Sequence, residues 1–229
     1  PRERWAALAL IASLPPLVWM AAGQQTELAA TAVTLALAAV IVADAPGRLW
    51  AGAVLFAGLF ALKPVHGIAA LPLLAYAAWR HRHALPWSRM PAAIALFALV
   101  ALSSEAMAWR ATGNPLLPLF NHVFRAPAMP PIALDDARWH AGFAPDLLWR
   151  MTFDTDRYYE GWDGALGFAA IALGGLWLLA LLRGPRRGLL VSASLAMLLP
   201  LLPMQYARYA WPGLCLLLVL LPIGAEARL

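Results

Sequence analysis

Charged side chains are scarce in this chain of 229 residues. Only 13% of its residues are charged, about half the share of a typical soluble domain, while 62% are hydrophobic and the mean hydropathy is +0.69. A soluble helical protein of this composition would have to bury almost every helix on every face. The apolar runs also lack the alternation of barrel strands. The sequence therefore predicts an all-α, polytopic helical membrane protein.

Lysine and cysteine are almost absent. Sixteen of the seventeen basic residues are arginine, so Lys63 stands alone, and the single cysteine, Cys215, has no partner for an internal disulfide. The net charge is +5, but the basic residues are spread over short turns, which favours a membrane protein over a nucleic-acid partner. The sequence contains no phosphate-binding loop, nucleophile elbow or zinc pattern, and no signal-peptide cleavage site is recognisable.

The long apolar runs predict about eight membrane segments. Proline at 15 and 16 should kink the first, and the Lys63-Pro64 pair should divide the third from the fourth, because proline removes a helix donor. The predicted segments are Trp5–Ala22, Leu28–Ala43, Leu49–Leu62, Val65–Trp79, Met90–Trp109, Gly164–Leu182, Leu189–Leu202 and Trp211–Ile223.

One long polar stretch interrupts these segments and predicts a three-part organisation. N-terminal membrane helices occupy residues 1–109, a large extracytoplasmic loop with interfacial helices occupies 110–163, and C-terminal membrane helices occupy 164–229. Pro145 can open a short helix in the loop, with Leu147, Leu148 and Met151 on its apolar face. We expect this loop to cap the helical bundle.

Arginine-rich turns predict the orientation. Arg80, Arg82, Arg89 and the 183–187 cluster mark cytoplasmic turns, so eight crossings place both termini in the cytoplasm. The opposite side then holds Glu27, Lys63, His66, Arg110 and Arg208, together with seven of the twelve acidic residues. Polar chemistry is therefore expected on the extracytoplasmic face.

Lys63 and Arg208 are the leading candidate site residues. A lysine between two apolar segments either binds an anionic group or extends to the interface, and a guanidinium at a segment end either binds phosphate or anchors the interface. His66 shares the side of Lys63, although a buried, hydrogen-bonded histidine is the simpler interpretation. Glu105 is interpreted as a base, as an ion partner of Arg110 or Lys63, or as half of a structural pair.

A metal site has weak support. Five loop residues could supply oxygen or nitrogen ligands, but their spacing matches no known site, and solvated loop charges are the default interpretation. These residues are Asp135, Asp136, His140, Asp154 and Asp156. No cofactor is predicted.

Four segments resemble bacterial polytopic glycosyltransferases of the GT-C type, a group that includes aminoarabinose-transferase-like and protein-mannosyltransferase-like enzymes. They are LFAGLFALKPVHGIAALPLL, TGNPLLPLFNHVFR, EGWDGALGFAAIALGGLWLL and QYARYAWPGLCLLLVLLP, in this order along the chain. The resemblance covers about residues 28–223.

The resemblance implies transfer of a sugar from a polyprenyl-phosphate donor to an extracytoplasmic acceptor at the bacterial inner membrane. It implies that Lys63 and Arg208 bind the donor phosphate, with further polar residues lining the site. The expected lining residues are His66, Glu105, Arg110, Asn114, Asn121, Gln205 and Tyr209. The implied partners are membrane lipid and the lipid-linked sugar. Other membrane subunits are expected as partners if the chain is a subunit of a larger membrane complex.

The chain departs from that family at its first extracytoplasmic turn. The family carries its acidic catalytic motif in a long first external loop, whereas this chain has only GQQTE there. The expectation is either a C-terminal portion of a longer enzyme or a relative that lost catalysis, and no catalytic residue is assigned. The alternative is a non-catalytic membrane subunit of a larger complex. A transporter is less favoured, because the Lys63-Pro64 break has no twin.

Overall fold

The computed structural model describes residues 2–23, 25–43, 47–134, 140–158 and 166–226. Within these ranges the regular structure is helical throughout, which confirms the all-α prediction. The α-helices are α1 (Arg2–Ala12), α2 (Pro15–Ala22), α3 (Glu27–Val42), α4 (Arg48–Leu62), α5 (Pro64–Arg80), α6 (Met90–Ala101), α7 (Ser103–Thr112), α8 (Asn121–Phe124), α9 (Leu147–Phe153), α10 (Phe168–Ala172), α11 (Gly174–Arg183), α12 (Arg187–Leu198) and α13 (Trp211–Glu226).

Helix length limits what each element can span. In the described residues no helix taken alone is both long enough and apolar enough for a membrane crossing. Two bent pairs reach the required length and composition when their halves are counted together, α1 with α2 and the stretch from Trp87 to Ala101 with α7.

Helix α13 is the most completely buried of the described helices, and its sequence is apolar from Trp211 to Leu221. Trp211 and Cys215 are almost completely buried, as are most of the leucines that follow. Helices α3 and α12 pack against α13, α5 packs against α12, and α4 closes the ring by packing on both α3 and α5. Outside this ring, α1 lies on α13, α6 on α4 and α11 on α12. Cys215 is a small core residue, as expected.

Glycine allows α12 and α13 to approach very closely. A Cβ built on Gly213 would collide with the backbone of Met197 on α12. A Cβ on Gly188 would lie 2.7 Å from the Tyr76 ring of α5. Small residues at crossing points are typical of helices that associate through backbone packing.

The chain breaks at Lys63, as the Lys-Pro pair predicts. Helix α4 ends at Leu62, Lys63 is extended with φ −170°, and Pro64 is the first residue of α5. The two helices fold back on each other. Proline suits a first helical position because that position needs no backbone donor. Lys63 therefore projects from a corner between two helices.

Two other predicted segments each consist of two helices that meet at an angle. The kink at Pro15-Pro16 is confirmed, with 69° between α1 and α2. The segment predicted from Met90 to Trp109 is divided, because the stretch Trp87–Ala101, which contains α6, meets α7 at 48°. At that break the Ser103 hydroxyl donates to the Val100 carbonyl oxygen at 2.9 Å, and such side-chain bonds bend helices.

The segment predicted from Gly164 onward also differs from the structure. In its described part, α10 and α11 are separate helices that meet at Leu173, immediately before Gly174 and Gly175. Glycine is a poor helix former because its backbone loses the most entropy when it becomes ordered. Residues 164 and 165 lie outside the described ranges.

The later part of the polar stretch packs into the core of the bundle. A helix follows Pro145, as predicted, and α9 buries Leu147 and Met151 while Trp149 remains exposed. These two buried side chains and Tyr158 belong to the same hydrophobic cluster as α13. Residues 147–158 therefore contribute to the hydrophobic core that also contains α13.

Candidate functional site

A buried carboxylate lies at the start of α3. Glu27 is the first residue of that helix, and its side chain is only 1% exposed. The positive end of the helix dipole favours a negative charge at this position. Burial of an ionised carboxylate is nevertheless costly unless cations and hydrogen-bond donors surround it.

Two cations from distant parts of the chain converge on this carboxylate. Arg208 Nε lies 3.4 Å from Glu27 Oε1, and Lys63 Nζ lies 3.9 Å from the same oxygen. Lys63 comes from the α4–α5 corner, and Arg208 comes from the short 3₁₀ turn Ala207–Ala210 that leads into α13. The fold thus brings together the two residues that the sequence selected as phosphate-binding candidates.

Aromatic rings form the wall beside the cations. Lys63 Nζ lies 4.6 Å from the centroid of the Tyr209 ring, and the Arg208 guanidinium carbon lies 5.5 Å from it. The Tyr206 ring is 5.1 Å from the same guanidinium carbon and packs edge-on against Tyr209. Ring faces attract cations at these distances. The rings therefore restrict where both cations can lie.

The turn before α3 also contacts α5. Thr26 Oγ1 and His66 Nε2 are 3.1 Å apart, and His66 is 2% exposed. His66 is thus the satisfied, buried histidine of the simpler sequence interpretation. Its hydrogen bond joins the turn that carries Glu27 to the helix that follows Lys63.

We call Glu27, Lys63, Arg208, Tyr206 and Tyr209 the cation cluster. Within it, Lys63 retains 36% side-chain exposure and Arg208 retains 15%, whereas Glu27 is enclosed. The Lys63 ammonium has three N–H donors. Its nitrogen is 3.9 Å from Glu27 Oε1, at the edge of ion-pair distance. The cluster can accordingly bind an anion from its open side while Glu27 holds the cations from the enclosed side.

Gln205 connects the cluster's turn to the large loop. Its side-chain oxygen Oε1 accepts a hydrogen bond from the Gly142 backbone N–H at 3.1 Å, and its side-chain nitrogen Nε2 donates to the Leu201 carbonyl oxygen at 2.8 Å. Gln205 lies three residues before Arg208. This hydrogen bond fastens the loop at Gly142 to the segment that leads to Arg208.

Asn114 and Asn121 organise the loop's own backbone. The Asn114 amide donates to the Leu119 carbonyl oxygen at 2.9 Å. The Asn121 amide donates to the Met129 and Pro130 carbonyl oxygens at 2.9 and 3.0 Å, and its own oxygen accepts from the Ala126 N–H at 2.8 Å. Both side chains are buried. Their polar atoms are engaged in shaping the loop.

Glu105 and Arg110 lie on α7, whose main contact is with α6. Glu105 is half-exposed and accepts a hydrogen bond from the Ser104 hydroxyl at 2.8 Å, and Arg110 is exposed. Among the described residues, Glu105 forms no ion pair with Lys63 or Arg110. The carboxylate beside Lys63 is Glu27 instead.

The loop residues considered as metal ligands are only partly described. Asp135 and Asp136 lie outside the described residues, and Asp154 pairs with Arg157 at 3.1 Å. No group of three or more potential ligands comes together in the part of the chain that the structure covers.

Glu27 is the residue of the cation cluster whose role the sequence does not predict. The charge pattern predicts that it lies on the extracytoplasmic side but does not connect it to Lys63 or Arg208. The available signal was an acidic residue opening an apolar helix on the same predicted side as two cations, because a charge in that position needs partners.

Comparison with family models, with curated proteins and with solved structures finds no match for this chain.

Proposed function

We propose that this chain is an integral membrane protein that acts on a lipid-linked sugar phosphate at the extracytoplasmic face of a bacterial inner membrane, with both termini in the cytoplasm. Large apolar side chains on the outside of the bundle support membrane embedding. Leu99 is 75% exposed and Met107 is 72% exposed. A water-facing surface of this kind is uncommon in soluble monomers, whereas lipid solvates it readily.

The convergence of Lys63 and Arg208 on one carboxylate and one tyrosine ring carries the functional proposal. A phosphate entering from the open side meets an ammonium and a guanidinium whose positions Glu27 and Tyr209 restrict. Arginine suits planar, bidentate phosphate binding, and lysine adds a compact charge. A polyprenyl phosphate places its phosphate at the membrane edge, where an amphipathic tyrosine is favoured.

The proposed reaction is glycosyl transfer. The acceptor nucleophile forms a bond to the anomeric carbon of the sugar, and the bond from that carbon to the phosphate oxygen breaks. The leaving polyprenyl phosphate gains negative charge, and the acceptor loses a proton to a base. Lys63 and Arg208 would stabilise the charge that develops on the leaving oxygen. Glu27 holds these cations in place and is therefore a positioning residue.

The test uses membranes containing the full chain and a radiolabelled polyprenyl-phosphate sugar. Lys63→Ala and Arg208→Ala should each reduce sugar transfer by about 100-fold, as is typical when one donor to a developing oxyanion is removed. The matched control is Arg89→Ala, which removes an exposed cation from the turn between α5 and α6, at the end of α5 away from Lys63. Direct binding of the unlabelled polyprenyl phosphate should weaken in the same two variants.

Transfer and binding together separate the possible outcomes. Binding without transfer, lost in both variants, supports the phosphate site in a chain that lacks catalysis. An intact protein that neither transfers the sugar nor binds the phosphate contradicts the proposal. Equal losses in Arg89→Ala would also contradict it.

A non-catalytic membrane subunit is the alternative function, and the exposed apolar surface of α6 and α7 favours it. Leu99, Leu102 and Met107 form part of this surface, which the rest of the described chain does not cover. A partner subunit could occupy it in place of lipid. Purification of the chain from its native membrane as a stable monomer would argue against this alternative, and co-purification of a stoichiometric partner would support it.

A further inference from the structure

A second site lies at the end of the bundle opposite the cation cluster. A cavity of about 410 Å³ opens between α3, α4, α5 and α6. Glu27 begins α3, whereas Ile41 in the last turn of the same helix lines this cavity, which separates the two sites by about 21 Å along the helix. The cavity is therefore independent of the proposed phosphate site.

The walls of the cavity are apolar. Leu74 of α5 lines it together with Phe56 and Phe97, whose rings stack with their centroids 5.2 Å apart. The volume falls within the range of small-molecule sites, which is about 300–1,000 Å³. Such a space favours a hydrocarbon chain over water, because water would find few hydrogen-bond partners there.

Two basic residues line the cavity at its end away from the cation cluster, which we call its mouth. Arg48, the first residue of α4, and His81, which follows α5, both line it. His81 Nε2 donates to the Ile41 carbonyl oxygen at 3.0 Å, which holds the imidazole at the mouth. Arg80 ends α5, Arg82 and Arg89 lie on the turn that connects α5 to α6, and all three are exposed. Basic mouths between membrane helices suit anionic headgroups.

We infer that this cavity binds one acyl chain of an anionic phospholipid from the surrounding bilayer, with the headgroup phosphate at the Arg48–His81 mouth. The apolar wall accounts for the chain, and the basic mouth accounts for the sign of the headgroup. This inference requires membrane embedding but does not require glycosyl transfer. A protein inactive in transfer can still bind this lipid.

Gly52 of α4 offers a precise way to test the cavity. It lines the space, and a Cβ built on it meets no atom within 4 Å, so Gly52→Leu projects into the cavity without backbone collision. Gly58→Leu is the matched control, because Gly58 lies on the same helix, is equally unobstructed and does not line the cavity. Both changes replace a poor helix former with a good one.

The measurement is native mass spectrometry of the full chain in mild detergent, titrated with phosphatidylglycerol or with phosphatidylcholine of the same acyl chains. The wild type should retain one phosphatidylglycerol in preference to phosphatidylcholine. Gly52→Leu should weaken retention about tenfold, which corresponds to displacement of about two buried methylenes, and Gly58→Leu should leave it unchanged. Arg48→Gln should reduce the preference for phosphatidylglycerol about fivefold while the cavity stays open.

Several outcomes overturn the inference. Equal retention of the two lipids would show unselective contact with the bilayer, and equal behaviour of the two leucine variants would show that the cavity is not the site. Displacement of phosphatidylglycerol by a polyprenyl phosphate at equal concentration would identify a different occupant. Helical content by circular dichroism is measured for each variant, and Arg48→Gln tests the headgroup contact even if Gly52→Leu does not fold.

Discussion

Glu27 combines a charge with almost complete burial, and it receives two cations on one oxygen. At the residue scale this arrangement explains why Lys63 and Arg208 can lie side by side without strong repulsion. Each cation is stabilised by the shared carboxylate and by a tyrosine ring. Loss of the carboxylate should therefore disturb both positions at once.

We expect Glu27→Gln to lower the stability of the protein and to weaken phosphate binding together. The change leaves two adjacent cations without their buried counter-charge, and removal of one partner from a buried pair costs about 3 kcal/mol. The residual exposure of Lys63 and Arg208 lowers that cost, so about 2 kcal/mol is expected. Thermal unfolding in detergent and polyprenyl-phosphate binding are the measurements.

The matched control for Glu27 is Asp146→Asn. Asp146 pairs with Arg150 at 3.2 Å, but its side chain is 62% exposed, and such surface pairs contribute about 0–1 kcal/mol. If Asp146→Asn lowered the unfolding temperature as much as Glu27→Gln does, burial would not explain the role of Glu27.

We expect the Asn121 side chain to stabilise the backbone of the loop and to have no effect on the charge of the cation cluster. Its side chain makes hydrogen bonds to the backbone at Ala126, Met129 and Pro130. Asn121→Ala leaves these groups unsatisfied and should cost about 1–3 kcal/mol. Limited proteolysis should then cut the loop faster, whereas His122→Ala, which changes an exposed neighbour, should not alter the rate.

At the element scale, the charged residues of the cation cluster all lie at helix ends. Glu27 starts α3, Lys63 separates α4 from α5, and Arg208 precedes α13. Proline accounts for one of these boundaries directly, because Pro64 cannot donate the backbone hydrogen bond that would continue α4. The ring of packed helices then brings these ends together.

The close packing of α12 on α13 predicts a strong effect at Gly213. Gly213→Ala should destabilise the protein by about 1–3 kcal/mol, because the new methyl collides with backbone of α12 that cannot move aside easily. Gly175→Ala is the control on α11, where a Cβ meets no atom within 4 Å. That change should be neutral or stabilising by up to about 1 kcal/mol. Thermal unfolding of both variants in detergent is the measurement.

Equal destabilisation by the two alanine substitutions would contradict the close approach at Gly213. A larger effect for Gly175→Ala would indicate that α11, rather than the α12–α13 contact, limits stability.

At the scale of the whole molecule, the proposed membrane orientation can be tested by cysteine labelling. Cys215 is buried and should not react. Asp156→Cys introduces a thiol at an exposed loop position, and Arg82→Cys introduces one in the basic turn after α5. A membrane-impermeant maleimide should label the first in intact spheroplasts and the second only after permeabilisation. Labelling of both from one side would contradict the orientation.

Much of the local structure follows from particular residues. The break at Lys63-Pro64, the kink at Pro15-Pro16 and the short helix after Pro145 are all predicted by proline chemistry. The break between α6 and α7 was missed because apolar runs appear continuous, whereas Ser103 bonds back to the helix backbone. Hydropathy alone does not detect such competition.

The sequence by itself determined an all-helical chain, its main proline breaks and the choice of Lys63 and Arg208 as candidates, since composition and proline chemistry act over a few neighbouring residues. Only the tertiary structure decided that Glu27 joins these two cations, that Asn114 and Asn121 serve the loop, and that a cavity opens between α3 and α6. These features depend on which helices become neighbours. Packing of complementary surfaces from distant segments sets that arrangement, and no local pattern encodes it.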